Sequence, residues 1–184
     1  TGCGKSTLLN CLNGVLLQES QACVEGVLRV AGRDLRRWPA RERCRAIGSV
    51  FQNPESQICA GDVESEVAFG LENPEFERGE MLERIGEALR AVGLAEKRHA
   101  KTAELSGGQK QRLAIACALA IGPKVLLLDE PISQLDPQGA ADILQIVADL
   151  KNRGEMAALL VEHRLEETAA LADRIVLMDR GRIA

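Results

Sequence analysis

Tyrosine is absent from the 184 residues, and three phenylalanines and one tryptophan bring the aromatic content to only 2%. A chain so poor in rings has almost no material for a platform on which nucleobases stack. The six cysteines (Cys3, Cys11, Cys23, Cys44, Cys59 and Cys117) form no C-x-x-C pair, so neither a zinc site nor a disulfide framework is indicated. They fit a reducing compartment. No apolar run approaches the ~18 residues that cross a bilayer, so any membrane role is expected to come through partners. A formal net charge of -4 argues against a general nucleic-acid binder. Arg33, Arg36, Arg37, Arg41, Arg43 and Arg45 form a local basic cluster, which reads as a solvated helix face. What remains is an ordinary globular composition, 46% hydrophobic, able to build a sizeable core in one domain or one domain with a subdomain. There is no internal repeat and no low-complexity tract.

The stretch with the most information is Leu105-Ser106-Gly107-Gly108-Gln109. Two adjacent glycines let the backbone approach a ligand with no Cβ in the way. Ser106 adds a small hydroxyl, and the apolar-periodic run from Gln109 to Ile121 predicts a helix whose N-terminus carries free N–H groups and partial positive charge. That combination suits a phosphate.

A second phosphate element stands at Thr1-Gly2-Cys3-Gly4-Lys5-Ser6-Thr7, which matches the latter half of G-x-x-x-x-G-K-[ST]. In that motif successive backbone N–H groups wrap the phosphates, the lysine (Lys5) reaches the β and γ oxygens, and the hydroxyl of Ser6 faces Mg²⁺. Thr7 to Leu12 continues as a helix ending near Asn13-Gly14. The first glycine of the motif and a strand feeding it do not precede Thr1, so the expectation is a fragment truncated at its N- and C-terminal ends. After the breaker Gly122-Pro123, Val125-Leu126-Leu127-Leu128 predicts a short strand buried on both faces, and Asp129-Glu130 follow at its carboxyl end, where ligands of open α/β sheets bind. Asp129 there can hold Mg²⁺ directly or through water, and Glu130 can polarise an attacking water as a general base.

Residues 24–32 alternate weakly and predict part of an antiparallel arm. From Pro54 to about Gly122 the pattern is helical, with Leu82, Ile85, Leu89 and Val92 on one face, Glu83, Glu87 and Arg90 facing out, and Gly93 as the stop. Further on come a helix from Pro137 to Arg153, a strand at 157–161, a helix from Leu165 to Leu171 and a strand at 174–178. Strands alternating with helices predict a parallel sheet between helical layers.

Lys5-Ser6, Gln52 after the β-like Ile47 to Phe51, Leu105 to Gln109, Asp129-Glu130, Ser133-Gln134-Leu135-Asp136 and His163 stand in the order found in ATP-binding-cassette ATPases, which the whole chain resembles. The resemblance implies a P-loop NTPase, RecA-like core at 1–53 and 123–184, with an inserted helical subdomain at 54–122 and a partial β arm. It implies ATP and Mg²⁺ as ligands, with Gly2, Cys3, Gly4, Lys5, Ser6 and Thr7 around the phosphates. Ser6, Gln52 and Asp129 would attend the metal, and Glu130, His163 and Gln52 would carry the chemistry. Gln52 looks like the glutamine that senses the metal and γ-phosphate, and His163 like the switch histidine. Ser106, Gly107, Gly108, Gln109 and Asp136 would serve the nucleotide of a second subunit in a homo- or heterodimer.

Phe51 to Gln57, Val67 to Asn73, Ser133 to Pro137 and Glu162-His163-Arg164-Leu165-Glu166-Glu167 further resemble the ATPases of energy-coupling factor importers, which take up vitamins or transition-metal ions. Ile132 departs from the threonine more usual at its position. This implies integral membrane coupling and substrate-binding subunits as partners, no nucleic acid, and a place on the cytoplasmic face of the membrane. A soluble cassette acting on ribosomes or DNA is the alternative reading. A degenerate cassette that binds ATP without hydrolysis fits less well, because Lys5, Gln52, Asp129, Glu130 and His163 are all present.

Overall fold

Three hydrophobic strands lie side by side and parallel: β3 (Ile47–Val50), β4 (Val125–Asp129) and β5 (Ala157–Val161), in the order β3-β4-β5. The computed structural model describes every residue except 1, 19–21, 73–75 and 155. Thr1 of the phosphate motif and Asn73 of the segment Val67 to Asn73 therefore lie outside the described residues.

In chain order the helices are α1 (Lys5–Leu12), α2 (Ala40–Ala46), α3 (Val63–Phe69), α4 (Arg78–Ala91), α5 (Gly107–Ala120), α6 (Pro137–Arg153) and α7 (Leu165–Thr168). Alternation along β4 assigns its side chains to two layers, as the pleat requires. Leu126 and Leu128 join a cluster with Leu113 and Ile115 of α5 and Ile143 of α6. Leu127 faces the other way, with Leu9 of α1, Trp38, Ile47 and Val161. The sheet is thus sandwiched between helices, an α/β layer arrangement. Gly48 lets β3 and α5 close up, since a Cβ there would sit 3.2 Å from both Ala118 Cβ and the Ala118 carbonyl oxygen.

Helix boundaries follow local chemistry. Asp62 caps α3 by accepting from the Ser65 N–H at 2.8 Å, and Asp136 caps α6 by accepting from the Gly139 N–H at 2.7 Å, ahead of Pro137 in the first turn. Gly93 and Gly154, at φ +67° and +68°, end α4 and α6.

Four expectations need correction. Leu82 is 43% exposed although Ile85, Leu89 and Val92 are buried, because Met81 rather than Leu82 packs against the core in the first turns of α4. The segment 174–177 is not a strand, and Ile175, Val176 and Leu177 are exposed: the Leu177 carbonyl accepts from the Ala184 N–H at 2.9 Å, and among the described residues no strand continues alongside Arg174 to Val176 to complete a ladder. Only Met178–Asp179 (β6) pairs, antiparallel with Arg182–Ile183 (β7). The arm reduces to the two-residue strands β1 (Arg29–Val30) and β2 (Arg33–Asp34). Lastly, Arg43 is not on a solvated face: it is 7% exposed and donates to the Trp38 carbonyl.

Candidate functional site

Parallel register brings the site together. Val50 lies opposite Leu128, and Asp129 opposite Val161, so Gln52, Glu130 and His163 each emerge just past the carboxyl end of a neighbouring strand. They meet on one carboxylate. The Gln52 amide Nε2 donates to Glu130 Oε2 at 2.9 Å, and His163 Nε2 lies 2.6 Å from Glu130 Oε1, within hydrogen-bond reach. Glu130 keeps only 15% of its side chain exposed, against 43% for His163.

The backbone of Glu130 adopts φ +46°, a left-handed conformation rare for a side chain that is not glycine. Three hydrogen bonds hold it there. Its N–H donates to the Val161 carbonyl at 2.9 Å, and its carbonyl accepts from the Ser133 N–H at 3.1 Å and from Ser133 Oγ at 2.9 Å. Strain sustained in this way is typical of functional positions.

Next to it, Asp129 Oδ1 is buried and has no hydrogen-bond partner among the described residues. An acceptor-only oxygen left alone in the interior calls for a donor or a cation. Its position at the carboxyl end of β4, the strand against which α1 packs, fits Mg²⁺ or a water held by it.

The phosphate loop enters α1 through glycine. Gly2 and Gly4 have φ +79° and +97°, which turns the chain so that Gly4 caps α1 without a side chain. The first intrahelical bond runs from the Leu8 N–H to the Gly4 carbonyl at 2.9 Å, so the N–H groups of Lys5, Ser6 and Thr7 have no partner in the helix. Lys5 Nζ lies 3.5 Å from Cys3 Sγ, and the hairpin of β6 and β7 abuts the loop through a Gly181 N–H to Cys3 carbonyl bond of 2.9 Å. These donors suit a polyphosphate.

Ser106 to Gln109 starts α5 as a reciprocal capping box. Ser106 Oγ accepts from the Gln109 N–H at 3.3 Å, and Gln109 Oε1 accepts from the Ser106 N–H at 3.0 Å. Gly107 has open space where a Cβ would stand, and a Cβ on Gly108 would lie 3.9 Å from Leu135 Cδ2. This face therefore adjoins the Ser133 to Asp136 loop of its own chain. Among the described residues no hydrogen bond or ion pair joins Ser106 to Gln109 with Gly2 to Thr7.

Several supporting contacts were not singled out in the sequence. Lys110 of α5 reaches Glu55, just past Gln52, at 2.6 Å, and its hydrogen bond followed by its charge holds the Glu55 carboxyl below the ordinary value. Buried Glu66 accepts from the N–H groups of Cys59 (2.9 Å) and Ala60 (2.6 Å), while Thr102 Oγ1 donates to the Ala60 carbonyl at 2.7 Å. The segment following Gln52 is thereby tied to α3 and to the turn leading into Ser106. Nearby, burial pushes the Cys117 thiol far above its ordinary value, and the charge of Glu66 adds to the effect. Cys117 should accordingly resist alkylation at pH 8 in the native protein, whereas exposed Cys23, Cys44 and Cys59 react; peptide mass mapping checks this, and native labelling of Cys117 at their rate would contradict it.

Known proteins resemble this chain in sequence and fold. The family model described as ABC transporter matches residues 1–133. A protein of Methanosarcina acetivorans named as an ABC transporter ATP-binding protein is 50% identical over 183 residues, covering 100% of this chain and 28% of its own length. The energy-coupling factor transporter ATP-binding protein EcfA1 of Ligilactobacillus salivarius is 42% identical, with 99% of this chain and 62% of the relative covered. Among solved structures, cbiO1 of Clostridium perfringens, part of the ABC transporter complex cbiONQ, superposes with a TM-score of 0.89 at 31% identity, over 100% of this chain and 72% of that one. The chain thus spans between about a quarter and two thirds of the curated relatives it matches.

Proposed function

The chain belongs to the ABC transporter family, with the α/β P-loop NTPase fold of its ATP-binding proteins, and from that membership we propose that it binds and hydrolyses ATP to power import of a vitamin or transition-metal ion through membrane partners. The observation that carries the hydrolytic part is the convergence of Gln52 and His163 on the strained carboxylate of Glu130. The importer part rests on likeness to EcfA1 proteins and to cbiO1.

Magnesium and ATP supply the chemistry of phosphoryl transfer, in which catalysis is mostly positioning and electrostatics. Gly2 to Thr7 offer backbone donors and the Lys5 ammonium to the phosphates; Ser6, Gln52 and Asp129 attend the cation. Glu130 takes the proton of the attacking water, and His163 and Gln52 keep its carboxylate aimed. Ser106, Gly107, Gly108, Gln109 and Asp136 face the nucleotide of a second ATPase subunit. We assign 1–53 and 123–184 to the nucleotide-binding core and 54–122 to a helical subdomain. No helix among the described residues is long and apolar enough to cross a membrane, so membrane partners would hold the protein peripherally at the cytoplasmic face.

Affinity-tagged full-length protein, purified from detergent-solubilised membranes, should carry integral membrane subunits with it. Vesicles containing that complex should take up its solute only with ATP, and Lys5→Ala should abolish uptake. Recovery as an active ATPase free of membrane subunits would overturn the importer reading.

A further inference from the structure

Glu162 and Arg164 flank His163, and both reach back across some thirty residues to the backbone of a single residue, Ile132. Glu162 Oε1 accepts from the Ile132 N–H at 3.4 Å, while Arg164 Nη1 donates to the Ile132 carbonyl at 3.2 Å. The other oxygen of Glu162 accepts from the N–H groups of His163 (2.9 Å) and Arg164 (3.4 Å), so one carboxylate spans both segments. Arg164 is braced in turn by Glu167 at 3.0 Å, and its carbonyl accepts from Thr168 Oγ1 at 3.1 Å. Ile132 itself is fully buried in the main core. Ile132 lies between Glu130 and Ser133, whose two bonds to the Glu130 carbonyl hold the left-handed turn.

We propose that Glu162 and Arg164 are positioning residues: their grip on the two backbone groups of Ile132, one on each side of its Cα, fixes the turn at 130–133 relative to the end of β5, and so sets the distance between Glu130 and His163. The left-handed conformation of Glu130 is costly for a residue with a Cβ and persists only when its surroundings over-determine it. The grip supplies that determination from the side of His163. Movement of the 162–164 segment is therefore transmitted to the carboxylate and to the loop running on to Asp136. Neither side chain touches nucleotide in this scheme.

The inference rests on the ATPase reading, and the test separates the two. In the full-length protein, Glu162→Ala and Arg164→Ala should each lower kcat about tenfold and leave KM for ATP within about twofold, the pattern of a lost transition-state effect. Arg164→Lys, which retains a donor for the Ile132 carbonyl, should recover much of the loss. Because both residues act through Glu130, Glu162→Ala placed in a Glu130→Gln background should change the residual rate by less than about twofold. Turnover of Glu162→Ala at the parent rate, or an equal loss in both backgrounds with a lowered melting temperature, would overturn the clamp alone. A parent rate indifferent to Glu130→Gln would strike the ATPase reading and the clamp with it.

Discussion

Replacing Glu130 by glutamine in the full-length protein should lower ATP turnover by ~10²–10⁴, the usual contribution of a general base, while ATP still binds. The amide keeps the size and planarity of the carboxylate and can still accept one of the two hydrogen bonds that Gln52 and His163 now direct at it. It loses the charge and the basicity. Since the backbone bonds of residue 130 to Val161 and Ser133 do not involve the side chain, the left-handed turn survives the substitution and the defect stays chemical. Asp129 cannot replace the lost base: it precedes the turn, on the strand itself, and its orphaned Oδ1 is turned into the interior. Phosphate release at saturating ATP measures the effect, and a rate like that of the parent would remove Glu130 from the mechanism.

How much of this could be read from the chain depends on whether a feature leaves a local pattern. Val125 to Leu128 announced β4 because a strand covered on both faces must be apolar throughout, and the two acids behind it marked the ligand end. The glycines at 2, 4, 107 and 108 are equally visible, since a residue without a Cβ marks where the backbone can turn or be approached closely. Side chains that bond to distant backbone leave no period at all. Glu162 and Arg164 could be placed in a motif, yet nothing in the chain tells that both grip the backbone of Ile132. Arg43 shows the same blindness: in a run of arginines it looks solvated, and only the fold reveals the Trp38 carbonyl that satisfies it. The segment 174–177 failed for a different reason. Its composition is that of a strand, but a strand exists only with a neighbour, and beyond the bond from Ala184 to the Leu177 carbonyl none of the described strands lies alongside.

Ser106→Arg tests whether the glycine motif serves another chain. In both subunits of a dimer the substitution should abolish ATP-dependent closure and with it nearly all turnover, yet leave ATP affinity of the separated subunit largely intact. The reasoning starts from what Ser106 already does. As the cap of α5 it satisfies the Gln109 N–H, and losing it costs about 1 kcal/mol, typical of an N-cap. That is too little to unfold a helix whose Leu113, Ile115 and Ala116 are fully buried, so α5 should remain in place. What changes is its exposed start. Gly107 leaves open space there, and an arginine in front of it would fill the approach with a long side chain. Among the described residues the segment has no hydrogen bond to Gly2 to Thr7 of its own chain, so a nucleotide lying on Lys5 of the same chain should not sense the substitution. Calorimetric titration of the isolated subunit, beside size-exclusion chromatography with and without ATP, distinguishes the cases. If the isolated subunit loses its ATP affinity, the motif serves its own chain, and the two-subunit site is wrong.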